Sequence, residues 1–77
     1  MSPRLQRVTS KELIKALRKA GFEEKRQRGS HLHMKREEDG RRVTVPIHLG
    51  RVMPLGTLRA ILRDAHITPE EFAELLK

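Results

Sequence analysis

The middle of the chain is patterned as a β-hairpin, and this segment restricts the possible folds more than any other. Apolar residues occupy alternate positions at Leu32 and Met34, and again at Val43 and Val45. Such alternation is typical of strands with one buried face. The acidic stretch 37–40 (Glu-Glu-Asp-Gly) between them is typical of a turn. Because a hairpin alone is barely stable in water, other elements must add a strand and cover its apolar face.

A helix is predicted before this hairpin. Thr9 and Glu12 have the spacing of a capping box, and apolar residues then recur every three or four positions. This pattern predicts a helix from about Ser10 to Ala20. Gly21 is well placed to end it in the left-handed conformation.

Two further helices are predicted after the hairpin. The first begins near Pro54, and its apolar stripe is Leu58, Ile61, Leu62 and Ala65. Thr68 and Glu71 have the spacing of a second capping box, with Pro69 at the first helical position. A short last helix therefore follows at the end of the chain.

The segment Phe22–Arg28 is too charged for its pattern alone to identify it. Its length and its position before Gly29 favour an edge strand, where charges discourage unwanted pairing. The predicted order is then α-β-β-β-α-α. Because the strands are grouped between helices, we expect an α+β fold with the helices packed on one face of a three-stranded antiparallel sheet.

Size and composition narrow the class of protein. With 77 residues the chain is expected to form a single domain, residues 1–77, in which residues 1–8 are a loose basic arm. It has no cysteine, which leaves no disulfide framework or cysteine nucleophile and fits the cytoplasm. Neither a membrane span nor a secretory signal is expected, because no apolar run is long enough.

The charge balance points to an anionic partner. Seventeen Lys and Arg residues against ten Asp and Glu residues give a formal net charge of +7. Such a field attracts nucleic acid, an acidic protein or an anionic membrane surface. The only aromatic residues, Phe22 and Phe72, both fit a core. Binding of RNA would therefore depend on charge and shape rather than on base stacking.

Few side chains can carry chemistry. The carboxylates are accounted for by helix caps, the turn and polar helix faces, so no metal cluster, cofactor or carboxylate-pair hydrolase is expected. Of the four histidines, His66 ends a helix, where a structural role is predicted. His31 and His33 lie two positions apart on a strand and so share the face opposite the apolar one. With His48 they fit either a zinc site or plain surface histidines.

General acid–base catalysis is a third interpretation. Imidazole can accept and donate a proton near neutral pH. RNA carries its own nucleophile, the 2′-hydroxyl, so a base that removes its proton is sufficient without a metal if cations hold the phosphate. Gly29 before Ser30 and His31 either lets a substrate backbone approach closely or only turns the chain. The nearby cations in sequence are Arg26, Arg28, Lys35, Arg36, Arg41 and Arg42.

Several motifs, in their order and spacing, resemble the HicA-type toxins (the YcfA-like family). They are Gly29-Ser30-His31, Val45-Pro46-Ile47-His48, the segment 56–62 (Gly-Thr-Leu-Arg-Ala-Ile-Leu), the opening segment 10–17, Ala20-Gly21-Phe22 and the ending segment 67–72. The resemblance covers nearly the whole chain, from about Ser10 to Leu76. Position 66 is histidine here, where many such toxins have glycine.

The resemblance implies a double-stranded-RNA-binding-like fold of α-β-β-β-α order, here with a short extra C-terminal helix. It implies the toxin of a type II toxin–antitoxin system, an endoribonuclease (mRNA interferase) that cleaves mRNA independently of translation. A HicB-like antitoxin is the implied partner. The histidine of the Gly-Ser-His motif is the catalytic one in this family, and here that residue is His31.

The RNA-binding surface is predicted around His31. Its predicted members are Arg28, Gly29, Ser30, His33, Lys35, Arg36, Arg42 and His48. His33 is an additional candidate for catalysis, and His48 is treated as a possible phosphate contact. The antitoxin is expected to cover the same face through arginines such as Arg28 and Arg36. The chain is expected to be monomeric alone and hetero-oligomeric with antitoxin.

Two other functions remain open at this point. A non-catalytic double-stranded-RNA-binding module would use the same basic composition, since a fold does not determine a function. An adaptor for an acidic protein would also suit the charge.

Overall fold

The computed structural model describes residues 5–77. Its elements, in chain order, are α1 (Ser10–Lys19), β1 (Phe22–Arg28), β2 (His31–Arg36), β3 (Arg41–Pro46), α2 (Leu55–Ala65) and α3 (Pro69–Leu75). This is the predicted order, and the predicted α+β fold with a three-stranded antiparallel sheet is confirmed. The charged segment Phe22–Arg28 is an edge strand, as its length and position indicated.

The sheet is a meander in which β2 lies between β1 and β3. β1 and β2 are joined by the two-residue turn Gly29-Ser30, so that Arg28 lies opposite His31. β2 and β3 are joined by the predicted turn 37–40, which places Arg36 opposite Arg41. The two turns set the register of the neighbouring strands, which a bulge in β1 then shifts.

A β-bulge at Lys25 changes the side of the sheet on which β1 places its residues. Before the bulge, Glu24 lies opposite Met34; after it, Arg26 lies opposite His33. Residues directly opposite each other share a face. The one extra residue therefore moves the even-numbered positions of β1 from the side of Met34 to the side of His33.

The helices cover one face of the sheet, and the core lies between the two layers. It consists of Val8, Leu13, Ala16, Leu17, Phe22, Leu32, Met34, Val43, Val45, Met53, Leu58, Ile61, Leu62, Ala65, Ile67 and Phe72. The apolar side of the hairpin and the stripe of the predicted second helix are all members of this core, as expected. Within residues 5–77, no helix packs on the other face of the sheet.

The helix ends follow from local chemistry. Thr9 and Thr68 each form the predicted capping box, with Glu12 and Glu71 respectively. Gly21, just after α1, has a φ of +99°, the left-handed conformation predicted for it. α2 ends in the same way at His66, whose φ is +60°, an unfavourable conformation for a residue with a side chain.

The N-terminal prediction needs a correction. Residues 1–8 were expected to form a loose basic arm, but Val8 is buried in the core. Its carbonyl oxygen accepts a hydrogen bond of 2.7 Å from the Met53 N–H. For Val8 the prediction is therefore wrong, because an apolar side chain next to the capping box packs under the helix; residues 1–4 lie outside the described residues. No helix within residues 5–77 is long and apolar enough to cross a membrane.

Candidate functional site

The open face of the sheet carries two histidines in rows of cations. The strand register sets three cross-strand rows: Arg28, His31 and Pro46; Arg26, His33 and Thr44; Glu23, Lys35 and Arg42. We call Arg26, Arg28, His31, His33, Lys35, Arg42 and Thr44 the histidine face. The structure thus brings together, on the surface opposite the helices, five of the predicted site residues: Arg28, His31, His33, Lys35 and Arg42.

His31 is held by the turn that precedes it. Gly29 has a φ of +56° at the first turn position, as in a type II′ turn, where glycine is preferred. Its carbonyl oxygen accepts a hydrogen bond of 3.1 Å from the Gln27 side chain. The Ser30 carbonyl oxygen accepts one of 2.6 Å from the Ile47 N–H. The turn is therefore tied to β1 and to the residue that follows β3, and the exposed His31 side chain starts from a fixed backbone.

His33 is positioned by a side chain of the neighbouring strand. Its Nδ1 atom lies 3.1 Å from the Thr44 hydroxyl oxygen, and the histidine is half-buried. This contact leaves Nε2 as the ring nitrogen available to a substrate. Thr44 was not predicted as a site residue. The signal was present in the sequence, since a turn that places Arg36 opposite Arg41 also places His33 opposite Thr44.

The charges of the histidine face are only partly neutralised within the molecule. Lys35 lies 3.8 Å from Glu37, which also pairs with Lys25 at 3.2 Å. The hydrogen bond from Lys25, together with the positive charges of Lys35, Lys25 and Arg42, lowers the pKa of Glu37. By contrast, Arg26, Arg28 and Arg42 form no ion pair with any other residue of the stretch 5–77. These three guanidinium groups are available to an anion.

Arg36 was predicted to bind RNA, but its contacts give it a different role. It lies on the helix-covered side, with its guanidinium 4.7 Å from the centre of the Phe22 ring. It pairs with Asp39 at 2.8 Å and donates hydrogen bonds to two backbone carbonyl oxygens. The hydrogen bond with Asp39 raises the pKa of Arg36 and holds that of Asp39 at about 2. We therefore leave Arg36 out of the histidine face.

The remaining histidines lie outside the three cross-strand rows. His48 follows the end of β3, and its N–H donates a hydrogen bond of 3.2 Å to the Ser10 hydroxyl oxygen. With Arg51 it lines a hollow of about 440 Å³ beside the N-terminal ends of α1 and α2. His66 lies in the helix layer, at the end of α2. Among residues 5–77, no three His, Asp or Glu side chains lie together in a way that could hold a metal ion.

An open groove of about 1020 Å³ extends the candidate site past the edge of β3. Its lining includes His33, Arg42 and Thr44 from the histidine face, and Thr57 and Ala60 from α2. Arg26 and Lys35 line it as well, together with the carboxylates Glu37 and Asp64, whereas His31 and Arg28 are not part of its lining.

The chain is similar to one known family over most of its length. Residues 10–67, from the start of α1 to the residue before the second capping box, match the family model described as the HicA toxin of bacterial toxin–antitoxin. No match is found among curated proteins.

Proposed function

The chain belongs to the HicA toxin family, and on that basis we propose that it is a metal-independent endoribonuclease that uses His31 as a general acid/base. As a toxin of a toxin–antitoxin system, it has an antitoxin as partner. Its proposed substrate is mRNA, cleaved independently of translation and in the cytoplasm. The observation that carries the proposal is the position of the exposed His31 imidazole, which lies in one cross-strand row with Arg28. The arginines of this face have no carboxylate partner within residues 5–77.

The residues of the face suit the chemistry of RNA cleavage. His31 would remove the proton of a 2′-hydroxyl, whose oxygen then attacks the adjacent phosphorus. Arg26 and Arg28 are close enough in register to hold the phosphate and to stabilise the negative charge that develops on it. Arginine suits this role because its planar guanidinium can donate two parallel hydrogen bonds to phosphate oxygens.

Recognition of RNA is proposed to depend on the phosphate backbone. Phe22 and Phe72 are both buried, and the chain has no Trp or Tyr, so no aromatic platform is available for stacking bases. Contacts to phosphates carry little sequence information. We therefore expect the affinity for RNA to fall steeply as the salt concentration rises, and to vary only modestly with RNA sequence.

The first experiment compares wild type with His31→Ala on a structured mRNA in the presence of EDTA. We expect wild type to cleave and His31→Ala not to cleave. His66→Gly is the matched control, because it removes an exposed imidazole from the helix layer; it should cleave like wild type. If folded wild type binds the RNA in a salt-dependent way without cleaving it, the chain is instead a non-catalytic RNA-binding module.

The antitoxin is proposed to be HicB-like and to inhibit the toxin by covering the histidine face with an acidic surface. The protein alone is then monomeric, and the inhibited form is a hetero-oligomer. Arg28 is one of the face's arginines without a carboxylate partner among residues 5–77, and complementary charge governs such association. Reversing the charge at this position in Arg28→Glu should weaken antitoxin binding. The same reversal in Arg59→Glu, on the exposed side of α2, should not. Equal affinity of both variants would contradict this interface.

A further inference from the structure

We propose that His33, positioned by Thr44, is the second proton-transfer group of the reaction and protonates the leaving 5′-oxygen while His31 acts as the base. This inference rests on the proposed ribonuclease function. It is carried by the contact of 3.1 Å between His33 Nδ1 and the Thr44 hydroxyl and by the common face of the two imidazoles.

The contact with Thr44 orients the ring in both of its protonation states. When Nε2 gives up or takes back its proton, Nδ1 keeps its hydrogen, and the threonine oxygen can accept a hydrogen bond from it in both states. The ring therefore need not turn when it gains or loses a proton. Nε2 stays the outward nitrogen throughout, which is the requirement for a group that exchanges protons with a substrate.

The spacing of the two imidazoles fits a single phosphate between them. Two residues along a strand correspond to about 6.6 Å, and both side chains leave β2 on the same side. In the reaction, the 2′-oxygen loses its proton to His31 and forms a bond to phosphorus. The bond from phosphorus to the 5′-oxygen breaks, and this oxygen takes a proton from His33. The products are a 2′,3′-cyclic phosphate and a 5′-hydroxyl; His31 is left protonated and His33 neutral, and no water is consumed.

The residues that share the rows of His31 and His33 do not compete with the imidazoles for these proton transfers. The residues opposite it are Arg26 on β1 and Thr44 on β3. Along β2 the next residues on the face are His31 and Lys35, and the row of Lys35 contains Glu23 and Arg42. Arginine, lysine and threonine do not exchange protons readily near neutral pH, whereas histidine does. In the rows of His31 and His33, the two imidazoles are thus the acid–base groups.

The test uses two oligoribonucleotides that differ in one atom. One has the normal 5′-oxygen at the cleavage site, and the other has a bridging 5′-sulfur, whose thiolate leaves without being protonated. On the oxygen substrate, His33→Ala should cleave on the order of 10²- to 10⁴-fold more slowly than wild type, the usual contribution of one acid–base group. On the sulfur substrate it should recover to near the wild-type rate, whereas His31→Ala should stay inactive.

Each other outcome overturns a defined part of the inference. His33→Ala at the wild-type rate on the oxygen substrate would show that His33 transfers no proton. Slow cleavage of both substrates by His33→Ala would show that His33 binds RNA or supports the fold instead. If the sulfur substrate rescued His31→Ala and not His33→Ala, His31 would be the acid and His33 the base. Failure of folded wild type to cleave either substrate would overturn the proposed function itself. His66→Gly is again the control.

Thr44 is tested as a positioning residue by two conservative variants. Thr44→Val keeps the shape and loses the hydroxyl, whereas Thr44→Ser keeps the hydroxyl. Loss of one neutral hydrogen bond should slow Thr44→Val by about 2- to 10-fold on the oxygen substrate, and the sulfur substrate should remove this difference. Thr44→Ser should cleave like wild type. Equal rates for the two variants would contradict the positioning role.

Discussion

The Arg36 guanidinium donates a hydrogen bond of 2.9 Å to the carbonyl oxygen of Ala65, the last residue of α2. It donates another, of 3.3 Å, to Ala20 at the end of α1. The C-terminal end of a helix carries partial negative charge and unpaired carbonyl groups, so a cation there is stabilising. One arginine of β2 thus joins the ends of two helices to the sheet, with Asp39 and the Phe22 ring completing its surroundings.

Replacement of Arg36 is predicted to affect stability rather than RNA binding. Arg36→Ala removes charge-assisted hydrogen bonds to two helix ends and should lower the free energy of unfolding by about 2 kcal/mol. Arg36→Lys should not restore it, because an ammonium cannot reproduce the planar set of donors. Urea denaturation gives the comparison, with the exposed Arg59→Ala on α2 as control. A loss no larger than that of Arg59→Ala would contradict this role.

The pair of Arg36 and Asp39 predicts a pH dependence in acid. The hydrogen bond from Arg36 lowers the pKa of Asp39 from 3.8 to about 2 in the folded protein. A carboxyl whose pKa is lower when folded stabilises the protein above its unfolded pKa, and this contribution is lost as the pH falls through the folded value. The difference in free energy of unfolding between wild type and Asp39→Asn should therefore be largest above pH 4 and shrink towards pH 2.

Denaturation curves from pH 6 to pH 2 measure this difference. Asp64→Asn on α2 is the matched control, because its carboxyl is exposed and its neighbour is Arg63 at 3.7 Å. A difference between wild type and Asp39→Asn that stays constant over this range would rule out the proposed linkage.

The left-handed backbone at His66 predicts a stabilising substitution. A residue with a side chain costs roughly 1–2 kcal/mol in this conformation, and glycine avoids this cost although it gains freedom in the unfolded state. His66→Gly should therefore raise the free energy of unfolding by about 0.5–1 kcal/mol. His66→Ala, which keeps the strained backbone, should not be stabilising. Thermal unfolding of both variants tests this prediction, and equal effects would contradict it.

The arginines of β1 predict the salt dependence of RNA binding. In a His31→Ala background, which prevents cleavage, Arg26→Gln with Arg28→Gln should reduce the slope of log affinity against log salt by about two, one for each lost phosphate contact. The control removes the same charge from the helix layer through Arg59→Gln with Arg63→Gln. If both pairs lower the slope equally, binding depends on net charge and not on the histidine face.

Much of the fold could be predicted from local patterns. The two capping boxes, the left-handed Gly21 and the alternation around the turn 37–40 all depend on residues close together in the chain, and all are present as expected. The candidate site was predictable in part for the same reason. His31 and His33 had to share a face of their strand, because side chains alternate along it.

What the sequence determined by itself was the order of the elements, the apolar side of the hairpin and the presence of two histidines on the opposite side. Tertiary structure decided which cations join them. The bulge at Lys25 moves Arg26 and Arg28 to the histidine face, and a one-residue insertion of this kind leaves no mark in a charged strand. Arg36, predicted to bind RNA, instead lies at the helix ends, because those carbonyl groups meet it only when distant segments pack together.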